Sequence, residues 1–281
     1  MKHYPKVNIG ELMVGPSNPV RVMGVINLSP ESFYKASIAE GIDKFHEMLE
    51  NASKSGADMI DIGGASTAPK DIYGTPDVSI DDEIERVTHA FDTIKASNYP
   101  PLSIDTTSSR VAEAALDRGV SMINDTSGLH MDAKMASLVA DWCVPIALMA
   151  NCNVPCDSVS ASLNSLKDSL AIAKNAGIKN DKIILDPGIG FGKLADVDAA
   201  ILRELSFFVE LNHPLLVGVS RKSFIGSFLD TPNPEDRLTG SIIAAAVAVM
   251  NGADIIRTHD IRETKIAIKM GEVLRKTHIH N

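Results

Sequence analysis

Lys182–Gly192 reads KIILDPGIGFG, a short apolar run that delivers Asp186 into a glycine-rich turn. Seven further runs have the same character: VRVMGVIN (20–27), DMIDIGG (58–64), LSID (102–105), SMIND (121–125), VPIALMAN (144–151), PLLVGVS (214–220) and DIIRTH (254–259). Nearly every one stops on a polar residue able to bind or react. Val, Ile and Leu run on without period-two alternation, the pattern of strands covered on both faces of a parallel sheet. Helix-like sequence follows each run, so the repeat predicts an α/β fold, a closed (β/α)8 TIM barrel. In that architecture the carboxyl ends of the strands gather around one site.

The chain of 281 residues suits one such barrel, for which about 250 residues is typical. No Ser/Pro-rich linker or shift in composition divides it. A single domain over residues 1–281 is expected, its core running from about residue 20 to about residue 270. A hydrophobic fraction of 44% is ample for a large core. Lys and Arg number 27 against 36 Asp and Glu, and the net charge of −9 argues against a nucleic-acid or membrane surface. An anionic substrate therefore needs a local cluster of cations. No apolar stretch reaches the roughly 18 residues of a spanning helix, and MKHYPKVNIGEL lacks the apolar segment of a signal peptide. Cys143, Cys152 and Cys156 make no disulfide framework, and nothing near the last two completes a zinc site. A cytoplasmic enzyme with reduced thiols is the expectation.

Between the runs lie helix signals. In VSIDDEIERVTHAFDTIKA, Ser79 is placed to cap a helix and Asp81, Asp82 and Glu83 suit its positive end. Ile84, Val87, Phe91 and Ile94 recur at helical spacing as an inward stripe. Asn233 and Pro234 start a second, Ala-rich helix with so little charge that more than one face is expected to be buried. Gly56, Gly119, Gly177 and Gly252 each follow a helical segment, where a left-handed terminus favours glycine. GAD occurs at 56–58 and again at 252–254, an echo of one βα unit. KVNIGELMVG, outside the repeat, is read as a hairpin with Gly10 near its turn that plugs the amino-terminal mouth of the barrel. The tail RKTHIHN is read as frayed, His278 and His280 included.

Two constellations carry chemistry. Asp105, Asn124 and Asp186 end the third, fourth and sixth strands, where they can accept from an N–H-rich heterocycle or ligate a metal. Any one of them alone would pass as a loop cap. Three at equivalent positions favour a ligand site. Lys222, Arg257 and His259 supply the cations at the ends of the last two strands, where such barrels often hold phosphate. Asn27 adds an oxygen for Mg2+, an ion that usually rides with phosphates. Arg221 is read instead as an outward salt bridge. GIGFGK (188–193) has the wrong glycine spacing for a Walker A loop and is followed by Leu194, so ATP binding is rejected. Its glycines let the backbone turn closely beneath a flat ligand.

With these motifs in place the chain resembles the dihydropteroate synthases of the pterin-binding barrel family, from about Val22 to Ile268. The likeness is carried by MGVINLSPESF (23–33), SIDTT (103–107), IND (123–125), ILDPGIGFGK (184–193), GVSRKSFIG (218–226) and RTHD (257–260). The resemblance implies that an aryl amine is joined to the methylene of a hydroxymethyl-dihydropterin pyrophosphate, with pyrophosphate expelled. It implies a pterin site of Asp105, Asn124, Asp186, Phe191, Lys222 and Arg257. Asn27, Ser66, Thr67, Arg257 and His259 would take the pyrophosphate, with Mg2+ on Asn27, while Pro69 and Ser223 would take the acceptor amine. Lys222, Arg257 and His259 would be the catalytic groups. A cytoplasmic homodimer, paired through the apolar helices near the eighth strand, is implied as well.

The sequence departs from the family pattern in two loops. SFYKAS places Lys35 where SFSDGG has a carboxylate, and GGASTAPKD places Ala68 where ESTRPG has arginine. LMANCNVPCDS also lacks the usual Met-His and Arg-Gly pattern. Lys35 and Lys70 are candidates to restore positive charge over the pyrophosphate. The expected acceptor is 4-aminobenzoate or, to suit the altered loops, a bulkier ribosylated aniline. The competing readings are methyl transfer from a reduced methylpterin to a corrinoid protein, and a non-catalytic pterin-binding relative. Retention of Lys222, Arg257 and His259 weighs against both.

Overall fold

The computed structural model describes residues 4–30, 32, 34–65, 77–94, 99–152 and 156–275. Ser66, Thr67, Ala68, Pro69, Lys70, His278 and His280 lie outside the described residues. Eight parallel strands follow the predicted runs: β3 (Arg21–Asn27), β4 (Met59–Gly63), β5 (Leu102–Asp105), β6 (Met122–Asp125), β7 (Ile146–Met149), β8 (Ile183–Asp186), β9 (Leu216–Gly218) and β10 (Ile255–Thr258). Their order is β8-β7-β6-β5-β4-β3-β10-β9, and a parallel bridge between Leu185 and Leu215 brings the two edges together. This is the (β/α)8 barrel that the sequence predicts.

The amino-terminal hairpin is present as β1 (Val7–Ile9) paired antiparallel with β2 (Leu12–Val14), with Gly10 in its turn at a φ of 58°. Val7, Ile9 and Val14 are fully buried against Met23, Met59, Met122, Ile184, Leu216 and Ile255. They form an apolar plug and floor inside the barrel. A strand alternates its side chains, so the residue two positions on points into the same lumen. That step carries the floor residues Met59, Met122, Ile184 and Ile255 to Asp61, Asn124, Asp186 and Arg257. The polar layer thus stands directly on the dry one.

Helices cover the outside: α1 (Ile42–Ser55), α2 (Ile80–Asp92), α3 (Ser109–Leu116), α4 (Met135–Trp142), α5 (Val159–Asn175), α6 (Ala195–Arg203), α7 (Ser206–Val209), α8 (Ser223–Leu229), α9 (Leu238–Asn251) and α10 (Ile261–Arg275). Ser79 caps α2 as expected, its Oγ accepting the Asp82 N–H at 3.1 Å. The Asn233–Pro234 signal opens a single 3-10 turn, Pro234–Arg237, and α9 itself begins at Leu238. Pro234 has no N–H to give, so its tight turn precedes the helix without joining its ladder. The GAD echo is structural. Asp58 accepts the Val22 N–H at 2.8 Å and Asp254 accepts the Leu215 N–H at 3.0 Å, so each staples a strand start to its neighbour. Tyr4 donates to the same Asp254 at 2.6 Å and ties the amino-terminal segment beneath the barrel.

One expectation about the cysteines is corrected. Cys152 and Cys156 form a disulfide, with Cα atoms 5.3 Å apart, while Cys143 is free and exposed. Cys156 is itself held by its backbone, whose N–H donates to the Gly192 carbonyl at 3.0 Å. No helix among the described residues is long and apolar enough to cross a membrane.

Candidate active site

Asp61 is completely buried, in the middle of β4. Its Oδ2 accepts from Arg257 Nε at 2.7 Å and from Asn124 Nδ2 at 2.9 Å. The other end of the guanidinium, Nη2, donates to Asp105 Oδ2 at 2.8 Å. One arginine therefore bridges two carboxylates across the lumen, and the Asn124 amide joins the chain at Asp61. Burial works against the charged guanidinium, but Asp61 and Asp105 outweigh it and hold the Arg257 pKa above its usual value. Asp61 Oδ1 is buried and has no hydrogen-bond partner among the described residues. An acceptor of that kind is costly unless something donates to it.

Asp186, at the end of β8, is buried and accepts the Gly188 N–H at 2.7 Å. Burial raises its carboxyl pKa, with the Gly188 N–H and the charges of Lys222, Lys193 and Arg257 opposing the rise. Lys222 faces it, with Nζ 4.0 Å from the centre of the Phe191 ring. Burial, then repulsion from Arg257, lowers the Lys222 pKa to about 8. Gly190 has a φ of 79°, and a Cβ there would meet Lys222 Cδ at 2.7 Å. The glycine turn thus lets the lysine lie close, whereas the sequence reading assigns that space to a flat ligand.

His259, beyond β10, is half-buried, and its Nδ1 lies 3.0 Å from Ser220 Oγ. Burial and the charges of Arg257, Arg221 and Lys222 push its pKa down to about 3, so the ring is neutral at ordinary pH. A neutral imidazole beside three cations can donate one hydrogen bond without adding charge. Asn27 ends β3 with its Nδ2 donating to Ser37 Oγ at 2.7 Å and Ser32 Oγ at 3.1 Å. Those bonds orient the amide and set Oδ1 beside Gly63 on β4, 3.3 Å from where a Cβ of that residue would stand. Ser223 begins α8, immediately after Lys222.

Arg221 overturns its sequence reading. It is 5% exposed and turned inward, paired twice with Asp260 at 2.9 and 2.7 Å and donating to the carbonyls of Pro234 and Glu235. Its backbone has a φ of 56°, and its N–H is held by Ser241 Oγ, which sets the side chain against the barrel top. The Tyr34 ring lies 4.5 Å from this guanidinium and 5.0 Å from the His259 ring. Lys35, by contrast, is exposed, and its ammonium donates to the Pro30 carbonyl at 2.9 Å. Asp61 is the residue that reading strand ends alone passes over. The available signal is its even spacing from Met59 in an otherwise apolar strand.

The arrangement offers carboxylates and an amide to an N–H edge, with cations and a neutral histidine at the rim. A family model described as pterin binding enzyme matches residues 23–259. The chain is 39% identical over 256 residues to the dihydropteroate synthase of Clostridium beijerinckii, covering 90% of this chain and 93% of that one. It superposes with a TM-score of 0.85 on a Coxiella burnetii dihydropteroate synthase solved with pteroic acid. That pair shares 34% identity over 98% of this chain and 99% of the other. A Xanthomonas albilineans dihydropteroate synthase solved with 4-aminobenzoic acid gives 0.86 at 32% identity, over 98% and 100%.

Proposed function

The chain belongs to the pterin-binding enzyme family, and from that premise we propose that it is a dihydropteroate synthase-type transferase serving folate synthesis. It joins hydroxymethyl-dihydropterin pyrophosphate to 4-aminobenzoate, the molecule held by the Xanthomonas relative. The observation that carries the reading is the layer of buried Asp61, Asp105, Asn124 and Asp186 with half-buried Lys222 and Arg257 at one barrel mouth. Asp186 takes the amino and ring N–H edge of the pterin, and Asp105 and Asn124 take the neighbouring ring. Lys222 donates to a ring oxygen or nitrogen above Phe191.

The amine nitrogen attacks the pterin methylene while the bond from that carbon to the pyrophosphate oxygen breaks. Pyrophosphate leaves with the electron pair, and the attacking nitrogen gives up a proton to solvent. Such a reaction needs positioning and leaving-group stabilisation more than a strong base. Arg257 and His259 supply the latter, one by charge and the other as a neutral donor. The residues fit Mg2+ bound mainly through the substrate, since Asn27 offers one oriented amide oxygen and the described residues hold no cluster of acidic ligands. When bound there, the ion neutralises charge on the leaving group. Incubation with the pterin pyrophosphate, Mg2+ and a panel of aryl amines should release pyrophosphate, most efficiently with 4-aminobenzoate. Tight pterin binding without release for any amine would overturn the reading.

A homodimer is part of the same proposal. The outer faces of α9 and α10 expose Ile243 (60%), Met250, Ile266 (64%), Met270, Val273 (62%) and Leu274. An apolar patch spread over two adjacent helices suits a two-fold, self-complementary contact. Sedimentation should give twice the 30.1 kDa chain mass, and Ile266→Glu should shift the protein toward monomer. A monomeric wild type at micromolar concentration would remove this part of the proposal.

A further inference from the structure

The turn from Pro187 to Gly192 joins Asp186 to Phe191, and two charged side chains from the following segment hold it from below. Lys193 Nζ donates to the Gly188 carbonyl at 2.7 Å and to the Phe191 carbonyl at 3.0 Å. Asp198 Oδ1, in the first turn of α6, accepts the Gly190 N–H at 2.8 Å. Both side chains are buried, Lys193 at 8% exposure and Asp198 at 1%. No ion pair joins them among the described residues. Each is committed to the backbone of the turn.

Burying an ammonium and a carboxylate is expensive, and apolar groups could fill the same space at less cost to stability. What three polar contacts on one short turn give is a fixed height and tilt. That geometry passes directly to the groups assigned to the pterin. The Gly188 N–H holds Asp186, the Gly190 backbone is the surface on which Lys222 lies, and Phe191 sits beneath the Lys222 ammonium. Lys193 is itself close-fitted: a Cβ on Gly188 would meet its Nζ at 2.9 Å. Burial lowers the Lys193 pKa to about 8 and raises that of Asp198 to about 6, consistent with groups kept away from water.

We propose that Lys193 and Asp198 are positioning residues of the pterin site, acting through Asp186, Phe191 and Lys222 by clamping the Gly188–Phe191 turn. The proposal rests on the synthase reading for the identity of the ring, and its test separates the two. Binding of 7,8-dihydropterin alone, and steady-state turnover with Mg2+ and 4-aminobenzoate, are measured for the wild type, Lys193→Met, Asp198→Ala and Asp198→Asn. Lys193→Met and Asp198→Ala should each weaken dihydropterin binding and raise the pterin KM by about tenfold, the size of one or two net hydrogen bonds. The KM for 4-aminobenzoate should stay within about twofold of wild type, a change too small to reflect a lost contact. Asp198→Asn keeps an oxygen for the Gly190 N–H and should return pterin affinity to near wild type.

Lower melting temperatures with unchanged dihydropterin affinity would mean that the pair only stabilises the fold, and would overturn the proposal. Equal losses in Asp198→Asn and Asp198→Ala would do the same, because the amide retains the acceptor. If Lys193→Met does not fold, the two Asp198 variants still decide the matter. A wild type that binds dihydropterin but releases no pyrophosphate would sink the synthase reading, leaving the affinity comparison intact as the test of the clamp.

Discussion

Asp186→Ala should weaken dihydropterin binding by about 100-fold or more, the equivalent of roughly 3 kcal/mol for charge-assisted hydrogen bonds lost in a buried site. The side chain ends β8 at 9% exposure, stands opposite Lys222 and is anchored by the Gly188 N–H. A flat ring with an amino group and an adjacent ring N–H would present two donors to its carboxylate. The unliganded protein should hardly suffer from the change. Burial raises the Asp186 pKa, so the ionised group opposes folding, and its contribution is favourable at low pH and lost as the pH rises through the raised value. Ligand binding has the opposite sign, because the donors prefer the ionised carboxylate, and affinity should fall as the pH drops through the same range. Calorimetric titration with 7,8-dihydropterin, alongside a melting curve, checks both. Wild-type affinity in Asp186→Ala would place the pterin elsewhere.

The fold was legible because its signals are local. Unbroken apolar runs, the Ser79 cap and glycines such as Gly56 and Gly252 before strands each state their structure within a few residues. So does the hairpin around Gly10. The candidate site was legible where a polar residue stands at or next to a strand end, as Asp105, Asn124 and Asp186 do. Asp61 escaped that reading because Ile62 and Gly63 still follow it in β4, and only its bonds to Arg257 and Asn124 show that it belongs to the same layer. Arg221 escaped it for a related reason. Its partner Asp260 is 39 residues away, and a guanidinium followed by lysine and serine looks like surface until the chain returns on the other side. The Cys152–Cys156 link goes with a Cys156 N–H anchored on Gly192, a contact that spacing alone does not fix. Lys193 was visible as a letter of GIGFGK, but its role depends on the carbonyls that the positive-φ glycines turn toward it.

Arg257→Met should be the most damaging single change to the fold as well as to turnover. It removes the cation that Asp61 and Asp105 share, breaking both ion pairs at carboxylates with 0% and 6% side-chain exposure. Breaking a buried pair from one side typically costs 3–5 kcal/mol, far more than the intact pair contributes over an apolar replacement. For a chain of this size that corresponds to a fall in Tm on the order of 10 °C. The cause can be isolated with Asp61→Asn, which keeps an oxygen for the Asn124 donor while removing one of the two carboxylate charges. Adding it to Arg257→Met should recover part of the lost stability, although Asp61→Asn alone destabilises the protein. The two changes should therefore depart from additivity by about 1–3 kcal/mol, as neighbours in one network do. Activity should not return in the double variant, because Arg257 is also assigned to the leaving group. Simple additivity in the melting data would show that Arg257 and Asp61 are not coupled, and would dissolve the bridge on which the rim of the site is built.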